Sequence, residues 1–240
     1  MAAPTSTSYG SHSSSDSSHH NGVGSPNLPY DPPLTFSTVI DHDHNTINKY
    51  AGRLLRAKAP QDRARLLREV TWRLVRHDVS EDIVMRPAFI EHLGDEGVHM
   101  AEHDRTDHER ARTELLALFH IPLEGDEFLG SLRALFAELL EHMRIESGQQ
   151  IPHLEHMLDP EESQRLGREY LKTQRLTPDL EIVVDKSTGA RRRVWRDVEE
   201  FARTDLQRFK EIWEELKLSE EPVDTEEAEA FHKKLDRGKL

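Results

Sequence analysis

The chain has 240 residues, no cysteine and a formal net charge of −13. Without Cys it can form no disulfide, thiolate nucleophile or Cys-ligated zinc or iron–sulfur centre. Its acidic balance argues against nucleic acid and anionic membrane surfaces as partners, because both repel an acidic body. Hydrophobic residues make up only 35% of the chain, so part of it is expected to lie outside any packed core. Residues 1–33 are that part: rich in Ser, His, Gly and Pro, they are expected to form a disordered tail. No apolar run is long enough to span a bilayer. Residues 1–20 lack the basic start and apolar stretch of a secretory signal, and the expected location is the cytoplasm.

From residue 34 apolar residues recur at three- and four-residue steps, the pattern of an amphipathic helix. Phe36, Ile40, His44, Ile47, Ala51 and Leu54 share the first stripe. Pro60 breaks that run and suits the first turn of a second helix, with Leu67, Val70, Leu74, His77, Glu81 and Val84 in register. Gly94 and Asp95 punctuate. A third helix carries Ala101, Asp104, His108, Ala111, Leu115 and Phe119 on one face. After the loop at 122–127 a fourth carries Phe128, Leu132, Leu135, Leu139, His142 and Glu146. Short connections between four such helices predict an all-α, antiparallel up-and-down four-helix bundle over residues 34–157.

A mainly helical C-terminal extension is expected over 158–240. It begins with a helix at 160–174. A short hairpin is expected around the Ser-Thr-Gly turn of LEIVVDKSTGARRRVW. An amphipathic helix at 195–218 and a charged terminal helix at 225–237 follow. Trp195, Phe209 and Trp213 either pack back onto the bundle or offer a surface to a protein partner.

Two stretches share a frame. HDVSEDIVMRP (His77 to Pro87) and HMRIESGQQIP (His142 to Pro152) both read H-x-x-x-E-x-x-x-x-x-P. An Asp-His pair precedes each, Asp43-His44 and Asp107-His108. The offsets are 33 residues from His44 to His77 and 34 from His108 to His142, which suggests two helical hairpins of one design. Positions i and i+4 of a helix lie about 40° and 6 Å apart. His77 therefore shares a face with Glu81, and His142 with Glu146, and both pairs fall on apolar stripes. Four imidazoles and two carboxylates would then point into one core. A buried carboxylate costs several kcal/mol unless it is paired or bound to a cation. Six such donors exceed one tetrahedral zinc and suit two adjacent ions of higher coordination number, iron among them.

This ordered set of D-H, H-x-x-x-E…P, D-H and H-x-x-x-E…P resembles the hemerythrin-like, or HHE cation-binding, domain over roughly residues 34–157. The resemblance implies a four-helix bundle around a non-haem di-iron centre. His44, His77, Glu81, His108, His142 and Glu146 would be the iron ligands, with Glu81 and Glu146 bridging. Two features depart from the oxygen-carrying hemerythrins. Asp104 stands where those have a further His, and the fourth-helix motif ends in Glu one residue early. Asp104 is either a substitute ligand or an exposed carboxylate near a helix start. Within residues 34–157 Glu96 and His99 form the only E-x-x-H, which disfavours the ferritin-like alternative. His42, His99, His103, His153 and His156 fall off the inner face or beyond the motifs. The expected function is binding of oxygen or a related small ligand, for sensing, storage or detoxification. The alternatives are a di-iron enzyme acting on peroxide or nitric oxide, and a metal-free helical adaptor.

Overall fold

The computed structural model describes residues 34–174, 181–183, 187 and 191–219. The expected tail, most of the expected hairpin turn and the expected terminal helix lie outside the described residues. Five helices lead: α1 (Phe36–Arg56), α2 (Pro60–Ser80), α3 (Arg86–Leu118), α4 (Asp126–Ile145) and α5 (Ile151–Met157). Thr35 caps α1, its hydroxyl accepting from the Thr38 amide, and Pro60 opens α2, where its missing N–H costs nothing.

Between α2 and α3, and between α4 and α5, the helix widens without stopping. One π-helical turn spans Glu81–Met85 and another Glu146–Gln150. The amide of Arg86 reaches back five residues to the carbonyl of Glu81, and that of Ile151 to the carbonyl of Glu146. Pro87 and Pro152 explain why. Each lacks an N–H, and its ring would clash with the carbonyl four residues earlier in a regular α-turn. A widened turn relieves both problems. The repeated frame thus encodes a device: a Glu at the start of a π turn and a Pro just past its end.

α3 doubles back within itself. Gly94 takes φ +59° and ψ −132°, a conformation open to glycine. A Cβ on Gly97 would lie 1.9 Å from the carbonyl oxygen of Phe89. Eight residues of straight helix would separate these positions by about 12 Å, so the chain turns sharply between them. Four rods result: α1; α2 with the start of α3; the rest of α3; and α4 with α5. This is the expected bundle.

Beyond it lie α6 (Pro160–Thr173), α7 (Val198–Arg203) and α8 (Leu206–Ser219). Strands β1 (Glu181–Val183) and β2 (Arg191–Arg193) pair antiparallel, Ile182 opposite Arg192, as the hairpin reading anticipates. The aromatic residues of the extension pack inward. Trp195, Phe201, Phe209 and Trp213 join the apolar cluster of Ile47, Leu54, Leu67, Leu74, Leu132 and Leu139, and Trp72 stacks on Phe201 at 4.3 Å. A second cluster forms at the other end from Phe36, Ile40, Val84, Phe89, Ile151, Leu154, Leu166 and Tyr170. Along α1, His44 falls between Ile40 of one cluster and Ile47 of the other, so a polar layer separates the two. Among the described residues no helix is long and apolar enough to cross a membrane.

Candidate metal centre

The polar layer is fed by every rod. α1 supplies His44, α2 His77 and the first π turn Glu81. The returning part of α3 supplies Asp104 and His108, α4 His142 and the second π turn Glu146. All are buried except His142, which keeps an edge 11% exposed. Donor atoms of His44, His77, Glu81 and Glu146 lie within 4.8 Å of one another, as do those of Asp104, His108 and His142. The six expected residues are brought together, and Asp104 joins them. Of its two readings the exposed one fails, because it is 1% exposed in mid-helix.

The two groups touch through the carboxylates. Glu81 turns Oε1 to His77 Nε2 at 3.0 Å and Oε2 to His108 Nε2 at 3.0 Å. Glu146 Oε2 lies 3.3 Å from His44 Nε2 and 3.6 Å from His142 Nε2. Asp104 Oδ1 is 3.4 Å from His108 Nε2 and 3.2 Å from His142 Nε2. Two donors each about 2.1 Å from one ion stand about 3.0 Å apart at a right angle and about 3.4 Å at a tetrahedral angle. All but the 3.6 Å spacing fall in the range of edges around a common cation.

The partners of these atoms test the fit further. Nε2 of His44 and His77, both carboxylate oxygens of Glu81 and of Glu146, and Oδ1 of Asp104 are buried without a well-formed hydrogen bond. Orphaned buried acceptors of this kind need a cation or a proton. His108 and His142 set Nε2 against Nε2 at 3.0 Å. Two acceptor nitrogens this close need a proton or a cation between them.

Each ring is in fact met at Nδ1 by a side chain of another helix or turn. His44 Nδ1 lies 2.9 Å from the Ser147 hydroxyl. His77 Nδ1 lies 2.8 Å from the Tyr170 hydroxyl, and that hydroxyl donates to Asp43 at 3.0 Å. His142 Nδ1 lies 3.3 Å from Asp107, and His108 Nδ1 3.7 Å from Asp78. The Asp of each Asp-His pair therefore supports the His of the next helix rather than its own neighbour. The hydrogen bonds at His44, His77 and His142 orient those rings with Nε2 toward the centre.

Beside this layer sits Arg86, 1% exposed. Its guanidinium donates to Asp104 at 2.5 Å, Asp78 at 2.9 Å and Asp82 at 3.0 Å. Asp78 also accepts from Arg112, and Asp82 pairs with Lys210 of α8 at 2.8 Å.

Charge is unevenly placed. Burial, then the charge of Glu146, pushes Glu81 well above the ordinary Glu range. Burial also acts to raise Glu146, but the neighbouring His44 imidazole outweighs it and holds the group at about 2. Burial works against the charged form of His108, yet Asp104 and Glu81 lift it well above the ordinary His value. Asp104 overcomes its burial through His108 and His142 and stays well below the carboxylate range. Asp43 likewise lies low despite burial, held there by His77 and Arg76.

Tyr170, Arg86, Asp78 and Ser147 escape the sequence reading; Asp43 and Asp107 are visible in it only as neighbours of a His. His99, His103, His153 and His156 are exposed and outside the layer.

Compared with models of known protein families the chain matches none, and no solved structure matches it. It is similar to a protein of Schizosaccharomyces pombe described as an uncharacterized hemerythrin-like protein. The two are 30% identical over 142 residues, which cover 59% of this chain and 70% of the relative. With that kinship added to a helical bundle built around a buried His and carboxylate layer, the chain belongs to the hemerythrin-like family.

Proposed function

We propose that the polar layer is a non-haem di-iron centre that binds oxygen or a related small ligand. His44 and His77 would hold one ion and His108, His142 and Asp104 the other, with Glu81 and Glu146 between them. The observation that carries this reading is the set of inward-facing Nε2 and carboxylate oxygen atoms, orphaned and spaced as donors around shared cations. Nitrogen and oxygen donors without thiolate suit iron at this coordination number. When bound, iron supplies the redox chemistry and affinity for small ligands that the side chains lack.

The chain's own part is to bind, orient and shield. Outer partners at Nδ1 hold the imidazoles in register, and apolar clusters on both sides keep bulk water away. Access is at His142. A groove of about 360 Å³ between the returning part of α3 and α4 is lined by His103, Asp107, Arg110, Ala137, Glu138, Glu141, Ile145 and Gln150, and it reaches the exposed edge of His142. A small ligand entering there meets the Asp104, His108 and His142 group first. The Cys-free composition fits a reducing compartment, and the cytoplasm is the proposed location.

The test is elemental analysis of protein from iron-supplemented cells, with optical spectra under nitrogen and in air. About two iron ions per chain and an oxygen-dependent near-ultraviolet band are expected, and both should vanish in a His77→Ala, His142→Ala double variant. A folded chain carrying well under one equivalent of metal returns the protein to the adaptor reading.

A further inference from the structure

Three of the four rings take their Nδ1 contact from the bundle itself: His44 from Ser147, His108 from Asp78 and His142 from Asp107. His77 differs. Its shortest contact, at 2.8 Å, is the hydroxyl of Tyr170, which comes from α6, beyond the bundle and 93 residues along the chain. The bundle's own offering to that ring, Asp43, stands 3.4 Å away.

We propose that Tyr170 is a positioning residue of the metal centre, and that α6 is present to deliver it. Its hydroxyl accepts from the Nδ1–H of His77 and donates to Asp43 Oδ2 at 3.0 Å. This relay is consistent in only one direction. The hydroxyl donates its single proton to Asp43 Oδ2, and it then has only lone pairs to offer His77. The imidazole must carry its proton on Nδ1 and leave the Nε2 lone pair facing inward, 3.0 Å from Glu81 Oε1. A hydroxyl that locks the tautomer of a ring aimed at orphaned carboxylates is placed as the outer partner of a metal-ligating His. The inference rests on the di-iron reading for its purpose, though not for its geometry.

The face of α6 toward α1 is built to this end. Ser163, Gly167, Tyr170 and Thr173 share it at helical spacing, S-x-x-x-G-x-x-Y-x-x-T. Ser163 Oγ accepts from the Phe36 amide at 3.0 Å and donates to Glu155 at 2.9 Å. A Cβ on Gly167 would lie 3.1 Å from the Leu34 carbonyl oxygen, so glycine lets the two segments approach this closely without displacing either. Thr173 donates to Ser80 at 2.6 Å, three residues from His77 on the next rod. Phe36 meets the Tyr170 ring edge-on with centroids 6.2 Å apart. Small residues thus bring the backbone in close, and Tyr170 carries its hydroxyl to the metal layer.

The test compares the full chain with Tyr170→Phe and Thr173→Val. Tyr170→Phe keeps the ring and removes only the relay, whereas Thr173→Val loosens the same face without touching His77. Zinc(II), a diamagnetic probe, is competed against a chromophoric chelator, and ring nitrogens are followed by 15N NMR with and without zinc. Tyr170→Phe should weaken zinc binding by roughly 10–100-fold and shift the His77 nitrogens toward a mixed tautomer. Thr173→Val should leave both close to the parent. A Tyr170→Phe chain with parental affinity and an unchanged His77 tautomer overturns the inference, as does an equal loss in both variants. If the parent binds no metal, the di-iron reading falls on its own. The metal-free spectra then decide the relay: a His77 Nδ1 proton that disappears only in Tyr170→Phe upholds it, and one indifferent to the hydroxyl overturns it.

Discussion

Glu81 and His108 keep protons beyond their ordinary ranges, and an incoming metal ion must displace them. Uptake near neutral pH is therefore expected to release protons, and affinity to rise with pH from about 6 to 8. Titration calorimetry in buffers of different ionisation enthalpy measures this, and zero proton release would contradict it. Both groups have raised folded-state values, so both make the metal-free chain less stable as pH rises, Glu81 from the ordinary carboxylate range and His108 from the ordinary His range upward. Asp104 and Glu146 act oppositely: their stabilisation is present above the ordinary carboxylate value and is lost as pH falls below it, for Glu146 toward about 2. Arg86 carries a separate risk. Arg86→Met leaves Asp78, Asp82 and Asp104 buried without their shared cation, and a loss of about 3–5 kcal/mol is expected in chemical denaturation. The inward-facing His and Glu residues are legible in the sequence because 3.6-residue periodicity places each on an apolar stripe. Arg86 and Tyr170 are not. Arg86 is buried only because three carboxylates, one of them from the returning half of α3, close around it. Tyr170 matters only because α6 lands on α1, a fact that no local pattern holds.

A single inserted residue per π turn sets the aim of Glu81 and of Glu146 against the helix that follows. The frame that encodes it is visible twice in the sequence, but periodicity of 3.6 does not distinguish a widened turn from a regular one, and the Pro is the only clue. Glycines on these rods have opposite roles. Gly97 sits against the Phe89 carbonyl, so Gly97→Ala is expected to cost roughly 3 kcal/mol by overpacking. Gly148, in the second π turn, faces solvent, and a methyl group added there would meet nothing within 4 Å, so Gly148→Ala should gain roughly 0.5–1 kcal/mol. Urea midpoints moving in opposite directions would bear this out, and a loss in both would show that the second turn needs its glycine. The Gly94 bend is legible as punctuation, but the approach of Gly97 to Phe89 is not, since it follows from the path after the bend.

For the molecule as a whole, the metal layer lies between two apolar clusters and holds carboxylates that repel one another when no cation is bound. An ion that binds only the folded chain stabilises it, by about 2.7 kcal/mol at a hundredfold excess over its Kd. Chelation should therefore lower the thermal midpoint, and readdition of metal should restore it. A midpoint indifferent to chelator would refute the metal reading at this scale. The bundle and the aromatic stripe of the extension are both legible from composition and spacing. What the sequence leaves open is where that stripe settles, because Trp195, Phe209 and Trp213 would satisfy the same hydrophobic demand against a partner as against Trp72 and Leu139.

The partition into two clusters has an optical corollary. Trp72, Trp195 and Trp213, the three tryptophans of the chain, all belong to one side of the layer, whereas the opposite end contains Phe36, Phe89 and Tyr170. Indole emission is thus a one-sided gauge. It registers loosening around the extension and stays silent while the α1–α6 end opens, so fluorescence and amide exchange would report different events in the same unfolding run.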